Sequence, residues 1–305
     1  MPSVKMIQKK KYILLTFLVI LMLLAGYGFY KIKSRRNEIS GFMQNRELKE
    51  TSGIAASGIF DDIYYIHNDS GDTSRFFAIT PKGKLVSTFY FKADKNLPSM
   101  QLDCEDISVG KGPKPGKSYV YLGDIGDNYN GRPYVTVYRF EEKLSWTSDS
   151  INHVIPAQLH LRYPDGSKDA EALLIDPIEN LLYIVNKRTD TIRVYTTPLN
   201  FKNNEDRVLT LRTKVYFSGF KPFKYITAGD ISKDGTKILI KSYGKVYYWQ
   251  RREKEHVWET LQRKPAELPY DMQRQGEAIG FTPDGEGYYT TSESAFAAIY
   301  YYNLP

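Results

Sequence analysis

The sequence predicts an all-β fold, a five-bladed β-propeller, preceded by a single transmembrane helix. Three observations support this prediction: a unit of short apolar strands that recurs along the chain, little helical periodicity after residue 50, and an uncharged apolar segment near the N-terminus. The chain has 305 residues, which is enough for one large domain.

The apolar segment YILLTFLVILMLLAGYGFY occupies residues 12–30 and contains no charged residue among its nineteen. As a helix it would be about 28 Å long, close to the hydrocarbon thickness of a bilayer. A cleaved signal peptide is the alternative, but the segment is long for one and no A-x-A cleavage site follows it. We therefore expect a cytoplasmic tail (1–11), an uncleaved signal anchor (12–30) and a single-pass membrane protein whose propeller lies outside the cytoplasm.

The net charge of +7 comes from the N-terminal region. Residues 1–37 contain eight basic residues and no acidic one, which leaves a net charge of −1 for the remainder. Basic residues beside a membrane segment interact with anionic headgroups. Because the globular part is close to neutral, it lacks the basic surface that nucleic-acid binding requires, and we expect no nucleic-acid partner.

Five units of similar pattern follow residue 50, each starting with a small or acidic residue and an apolar strand. These first strands lie in TSGIAAS, CEDISVG, AEALLID, AGDISKD and GEAIGFT, which begin at residues 51, 104, 170, 228 and 276. Second strands follow in DIYYIHND, SYVYLGD, LLYIVNKR, KILIKSYG and GYYTTSES, and third strands in RFFAIT, YVTVYRF, IRVYTTP, KVYYWQ and AIYYYN. Units of four strands that recur about every 50 residues are typical of propeller blades.

A fourth, outer strand is expected in the first four units, in LVSTFYF, AQLHLRY, VLTLRTKVYF and HVWETLQ, but the fifth unit ends at Pro305 after its third strand. We expect residues 40–48, SGFMQNREL, to supply the missing strand and close the ring. Residues 31–45 would then be a tether and closing strand, and residues 46–305 the propeller. Six blades are the alternative, which requires another blade between residues 104 and 170, where strands and polar turns already account for the chain.

Two kinds of connection lie on one face of a propeller: the loops that lead into each inner strand, and the loops between second and third strands. Polar residues concentrate in both. From the starts of inner strands we expect four metal ligands: Ser52, Glu105, Glu171 and Glu277. From the other loops, including HNDSGD at 67 and GDIGDN at 123, we expect ligand-binding residues: His67, Asp69, Asp124, Asp127, Lys187, Lys241 and Glu293.

Glutamates at equivalent positions in three blades would crowd like charges around the axis of the ring. Like charges in a confined site raise one another's pKa or require a cation. Calcium takes roughly six to eight oxygen ligands, so calcium is the expected cofactor. The alternative is that Asp and Asn satisfy turn backbones in these Gly-containing loops, and that the glutamates cap main-chain amides or pair with Lys or Arg.

The segments HNDSGD, DCEDISVG, YVYLGDIGDN, YPDGSKDAEALLID and EAIGFTPDG resemble a largely uncharacterised group of bacterial secreted or membrane-attached propeller proteins, over nearly all of residues 50–305. This resemblance implies fold and location rather than activity. The chain is more distantly similar to the calcium-activated nucleotidases (apyrases), five-bladed propellers with Ser and Glu around an axial calcium. That likeness implies calcium ligands at Ser52, Glu105, Glu171, Glu277 and Glu293. Unit four departs from the pattern with TAGDI, which has no serine, and the nucleotide-contacting residues have no match.

Three functions are compatible with these features. The first is a membrane-anchored binding module whose calcium-containing channel face recognises an unknown ligand or envelope protein. The second is a metal-assisted hydrolase of phosphate esters or glycosides, and the third is a structural scaffold. The sequence has no G-x-S-x-G, H-E-x-x-H or phosphate-binding loop, and its three tryptophans fall in the outer parts of blades. We therefore expect cation-dependent ligand binding.

Overall fold

The structure, a computed structural model, describes residues 15–23, 38–93, 102–189 and 191–305. The chain forms two compact units, Met1–Asn37 and Glu38–Pro305.

In the first unit, residues 15–23 are helical and their side chains are exposed. The predicted tail 1–11 and the remaining parts of the predicted anchor, 12–14 and 24–30, lie outside the described residues. No helix among the residues that the structure describes is both long and apolar enough to cross a bilayer.

The second unit is an all-β, five-bladed propeller. Its first strand, β1 (Glu38–Phe42), precedes the blades in the chain. The four main strands of blade 1 are β2 (Thr51–Ala56), β3 (Tyr64–Asn68), β4 (Arg75–Ile79) and β5 (Leu85–Tyr90). Those of blade 2 are β6 (Cys104–Lys111), β7 (Ser118–Asp124), β8 (Val135–Glu141) and, after β9 (Ile151–His153), β10 (Ala157–Arg162).

The remaining blades follow in chain order. The strands of blade 3 are β11 (Ala170–Asp176), β12 (Leu181–Asn186), β13 (Thr191–Pro198) and, after β14 (Glu205–Val208), β15 (Thr210–Tyr216). Those of blade 4 are β16 (Ile226–Ile231), β17 (Lys237–Ser242), β18 (Val246–Gln250) and β19 (Ala266–Leu268). Those of blade 5 are β20 (Ala278–Phe281), β21 (Gly287–Thr291) and β22 (Ala298–Asn303). Among the described residues of this unit, two short helical segments lie outside the sheets, Leu144–Thr147 (3-10) and Val257–Thr260 (α).

The inner strands form a closed ring, because each one packs against the inner strands of the two neighbouring blades, including β2 against both β6 and β20. An apolar cluster fills each of the five blade interfaces. Alternation along β11 shows why: Leu173 and Ile175 pack toward blade 2, whereas Ala172 and Leu174 pack toward blade 4. Successive residues of a strand point to opposite faces, so a strand that is apolar on both faces joins two interfaces.

The N-terminal strand closes the ring, as expected, but at a different position. The strand β1 pairs antiparallel with β22, with Glu38 opposite Tyr301 and Phe42 opposite Ala298. The closing strand therefore begins before residue 40 and ends before residue 48, which were its predicted bounds. The strand ends at Phe42. Met43 and Leu48, which follow it, are buried in the apolar cluster between blades 1 and 5.

The prediction that HVWETLQ forms the outer strand of blade 4 is wrong. Residues Val257–Thr260 form a helical turn, in which the Glu259 side chain accepts a hydrogen bond from the His256 amide at 3.0 Å. This reciprocal cap favours a helix start over a strand. The outer strand is β19, which pairs with β18.

Blades 1 and 2 have a fifth strand that the repeat pattern did not predict. The strand β9 pairs parallel with β5, and β14 pairs parallel with β10. Each lies in the connection between the third and outer strands of the next blade. The predicted strand VLTLRTKVYF therefore contains β15, except that its first residue, Val208, belongs to β14.

Because β1 lies close to the backbone of Lys82, we predict that even a small substitution at Gly41 destabilises the protein. A Cβ atom at this position would lie 2.5 Å from the main-chain oxygen of Lys82 and 2.6 Å from its Cα. Because backbone atoms must then move, we expect Gly41→Ala to lower the free energy of unfolding by about 1–3 kcal/mol in urea denaturation. The matched control is Gly131→Ala, where no atom lies within 4 Å of the added Cβ. Equal stability of the two variants would contradict the close approach of β1.

Candidate metal and ligand site

Three glutamates from three blades meet at one end of the ring. Glu105 lies in β6, Glu171 lies in β11, and Glu277 directly precedes β20. Each contributes a carboxylate oxygen to a group whose members all lie within 4.8 Å of one another. All three residues are buried.

In four blades, a β-bulge near the start of the inner strand leaves one residue unpaired. The pairing register with the second strand skips one residue in blades 1 to 4, and the skipped residues are Ser52, Glu105, Glu171 and Thr227. A bulge leaves one residue unpaired and re-aims its side chain. The same local irregularity therefore gives hydroxyl or carboxyl groups to successive blades.

Hydrogen bonds fix the glutamates from several directions. The Ser52 hydroxyl lies 3.3 Å from Glu277 Oε2 and 3.1 Å from the main-chain oxygen of Glu105. The Tyr243 hydroxyl donates to the other oxygen of Glu277. The Lys187 ammonium group donates to Glu171 Oε1 at 2.5 Å, whereas Glu171 Oε2 is buried without a donor in the described part of the chain.

Burial in a group of like charges disfavours ionisation. Burial, together with the charge of Glu171, raises the pKa of Glu105 well above its ordinary value. Burial raises the pKa of Glu171 to about 8, even though Lys187 acts to lower it. Burial alone would lower the pKa of Lys187, but the charges of Glu171, Glu277 and Glu105 raise it. The lysine therefore stays charged, and Glu105 and Glu171 hold protons at neutral pH unless a cation replaces them.

Lys241, the second lysine of the predicted set, lies close to the glutamates, but its hydrogen bonds go to a hydroxyl and to main-chain oxygens. Lys241 is fully buried, and its ammonium group donates to the Thr227 hydroxyl at 3.2 Å and to the main-chain oxygen of Gly276. It also lies 4.9 Å from the ring centroid of Tyr270. Burial lowers the pKa of Lys241 to about 7. Its contacts hold the start of blade 5, which carries Glu277.

A second carboxylate group adjoins the first. Oxygen atoms of Asp69, Asp103 and Glu105 also lie within 4.8 Å of one another, so Glu105 belongs to both groups. Burial raises the pKa of Asp69, and burial together with Asp69 raises the pKa of Asp103 to about 6.

The second glycine of GDIGDN, Gly126, permits this close packing. A Cβ atom at Gly126 would lie 2.3 Å from Glu105 Oε1 and 2.5 Å from Asp103 Oδ2. The loop backbone therefore lies directly against two carboxylates, and a larger residue would displace them. The motif supports the site through its glycine as much as through its acids.

The acids of the same motif shape the loop. Asp124 is buried and forms an ion pair with Arg132 at 2.8 Å, and it accepts the amide of Asp103 at 3.0 Å. Asp127 accepts the amides of Gly131 and Arg132 at 2.8 and 2.9 Å. These are turn-stabilising contacts, which agree with the alternative interpretation of the motif.

His67 is buried at the end of β3 and stays neutral, because burial lowers its pKa to about 4. Its Nδ1 lies 2.9 Å from the main-chain oxygen of Asn68, and its Nε2 has no hydrogen-bond partner among the described residues. The ring packs over Gly53 in β2, where a Cβ would lie 2.7 Å from Nε2.

Glu293 lies at the edge of the cluster beside an opening. Burial and the charge of Glu277 raise the pKa of Glu293 to about 9. Its Oε2 accepts a hydrogen bond from the Gln275 side chain at 2.9 Å. A cavity of about 590 Å³ lies here, between residues 271–275 and residues 292–294.

Three residues at the candidate site were missing from the sequence-based set of site residues: Asp103, Thr227 and Tyr243. Thr227 of TAGDI occupies the bulge position that corresponds to Ser52, where the sequence analysis noted only the absence of a serine, and comparison with Ser52 could have identified it. Asp103 precedes Glu105 by two residues, and this acidic spacing was a usable signal. Tyr243 lies in a turn after β17, and no pattern in the sequence distinguishes it from the many tyrosines of the blades.

Comparisons with known proteins add little. No protein-family model matches the chain, and no curated protein matches it. A solved structure described as "Structure of Dos1 propeller" matches with 10% identity over 82% of this chain and 67% of that chain, at a TM-score of 0.40. The fold therefore rests on the sheet topology described above.

The raised pKa of Asp103 predicts a pH-dependent stability. The folded state keeps this proton up to about pH 6, whereas the unfolded chain releases it near the ordinary value of 3.8. The contribution of Asp103 to stability is therefore lost as the pH rises through about 6. In the presence of a chelator, we expect Asp103→Asn to gain free energy of unfolding relative to the native protein between pH 4 and 7, as measured by urea denaturation. The control is Asp61→Asn, since Asp61 lies in an exposed turn. If the stability change of Asp103→Asn varied with pH in the same way as that of Asp61→Asn, Asp103 would not have a raised pKa in the folded protein.

Proposed function

We propose that this protein is a cation-dependent binding propeller, in which a calcium ion held by Glu105, Glu171 and Glu277 forms the floor of a site for a ligand or partner protein. The observation that carries the proposal is the convergence of these three buried carboxylates, with oxygen atoms within 4.8 Å of one another. A repeated buried carboxylate is costly without a compensating charge.

The charge balance of the cluster favours a dication. The ionised glutamates bring together more negative charge than Lys187 balances, and calcium would neutralise two of the remaining charges. Without the ion, the raised pKa values of Glu105 and Glu171 imply that protons take its place. Calcium binding would displace these protons, so its affinity should increase with pH.

The residues fit calcium as a ligand set. Glu171 is 1% exposed, and its Oε2 receives no hydrogen bond from the described residues. The Ser52 hydroxyl and the carboxylates of Asp69 and Asp103 add oxygen atoms around Glu105 and Glu277. Calcium accepts carboxylate oxygens in variable numbers and irregular geometry.

The surrounding side chains would have different roles in binding. Glu293 borders the 590 Å³ cavity, and we assign this cavity to the approach of a ligand. We assign Lys187 and Asp69 to contact with the bound ligand, and His67, Asp124, Asp127 and Lys241 to positioning the loops.

We also propose that residues 12–30 anchor the chain in a membrane and that the propeller lies outside the cytoplasm. The uncharged composition of this segment and the basic residues on both sides of it support the proposal.

Calcium should stabilise the native protein and not the Glu171→Gln variant. At a hundredfold excess over Kd the ion adds about 2.7 kcal/mol, which corresponds to roughly 5 °C or more in melting temperature for a domain of this size. Glu171→Gln keeps the shape but removes one negative charge, so we expect this shift to disappear while the fold remains. Thermal unfolding with calcium or chelator at pH 6 and pH 8 measures both the shift and its increase with pH.

The matched control is Glu267→Gln, because Glu267 forms an exposed ion pair with Lys245 on an outer strand. This variant should retain the full calcium effect. A native melting curve that millimolar calcium leaves unchanged at both pH values would refute the metal site.

The anchor is tested by a reporter fused after Pro305. We expect the reporter outside the cytoplasm, in the membrane fraction and attached to an uncleaved chain. A soluble product that starts after residue 27 would instead identify residues 12–30 as a signal peptide.

Metal-assisted hydrolysis of phosphate esters is the second candidate function. Asp103 favours it, because this half-buried carboxylate beside Glu105 has a pKa of about 6, suitable for a general base at neutral pH. Calcium-dependent turnover of a phosphate monoester would support this function. The tryptophans Trp146 and Trp249 are buried in blade interfaces, so these two side chains offer no surface on which a sugar could stack.

A further inference from the structure

The opposite end of the ring contains a separate cavity of about 300 Å³. It is lined by residues at the ends of all five inner strands, whereas the acidic cluster lies at their starts. Its apolar wall includes one residue from each blade: Ala56, Val109, Ile175, Ile231 and Phe281. A cavity of this size with an apolar wall is within the range of small-molecule sites.

Lysines from two blades border this cavity: Lys111 and Lys117 in blade 2, and Lys233 in blade 4. The Lys111 ammonium group donates to the main-chain oxygen of Pro177 at 2.9 Å, and that of Lys233 lies 3.3 Å from the main-chain oxygen of Gly58. The first contact joins the neighbouring blades 2 and 3, whereas the second reaches across the mouth of the cavity from blade 4 to blade 1. An ammonium group has three N–H donors, so these two lysines keep donors for a ligand.

The acidic groups near the cavity are already engaged. Asp230 is the one acidic residue among its lining residues, and its two oxygens accept the amides of Ile231 and Phe281 at 2.8 Å each. Glu142 faces the same end, and it accepts the Ser57 hydroxyl at 2.6 Å and the Gly58 amide at 3.1 Å. The lysine charges at the mouth are therefore not cancelled by ion pairs with these acids.

We propose that this cavity binds a small amphipathic anion, with an apolar chain or ring against the five-blade wall and a carboxylate or similar group at Lys111 and Lys233. The wall offers only dispersion and hydrophobic contacts, which select an apolar body. The lysines select a negative head group and reject a cation. The site is independent of the acidic cluster, which has the opposite charge preference.

Octanoate is a suitable probe, because it combines a carboxylate with a flexible apolar chain. We expect calorimetry on the full-length protein to show saturable binding of octanoate. Hexanoate, which is two methylenes shorter, should bind about fifteenfold more weakly. Octylammonium, which has the same chain and the opposite charge, should not compete.

Two variants test the residues. Lys111→Gln/Lys233→Gln should weaken octanoate binding by about tenfold or more, and both side chains are exposed, so the fold should persist. Ala56→Leu, which fills part of the cavity, should weaken octanoate and hexanoate alike. Lys214→Gln, on an exposed position of β15, is the matched control for charge and should leave binding unchanged.

Glu171→Gln should also leave octanoate binding unchanged, which separates this site from the calcium site. The proposal is overturned if octanoate does not bind, if octylammonium competes with it, or if the double lysine variant binds as tightly as the native protein.

Discussion

The close packing of five inner strands around one axis is the constraint on which the structure depends. Buried carboxylates help to fasten the strands together. Asp106 in blade 2 accepts the amides of Leu173 in blade 3 at 2.9 Å and Gly229 in blade 4 at 3.4 Å. Asp230 in blade 4 accepts the amide of Phe281 in blade 5 at 2.8 Å. Because each of these side chains accepts amides from another blade, they tie separate sheets into one ring.

The same packing brings the glutamates together. A bulge at the start of an inner strand releases one residue from the sheet, and in a ring each such residue lies near the corresponding residues of other blades. Glu105 and Glu171 occupy bulge positions, as do the hydroxyl residues Ser52 and Thr227. The convergence follows from ring geometry, whereas the choice of carboxylates at three positions does not. This choice raises the pKa values of Glu105 and Glu171 and thus indicates a function that offsets the cost.

The repeat pattern was sufficient to predict the blade number and the meeting of Glu105, Glu171 and Glu277, because both follow from periodicity. It was not sufficient for features set by single contacts. Asp124 pairs with Arg132 eight residues later, and Lys187 reaches Glu171 in the adjacent strand. Such pairings depend on side-chain direction in a loop. The outer strand of blade 4 was also less predictable, since HVWETLQ satisfies a helix cap as well as a strand pattern.

Because the inner strands run in the same direction, the acidic cluster at their starts and the lysine-bordered cavity at their ends lie at opposite ends of the ring. All inner strands start at the acidic end and finish at the lysine-bordered end, and a strand of six or seven residues spans about 20 Å. Polar substitutions at strand starts and at strand ends therefore affect different sites. Between the two ends, the strands contact one another through residues such as Ile54, Ile107 and Ile279, which are buried. A cation at one end and an anion at the other would thus bind one rigid ring without sharing a ligand residue, and each would stabilise the ring by its own affinity.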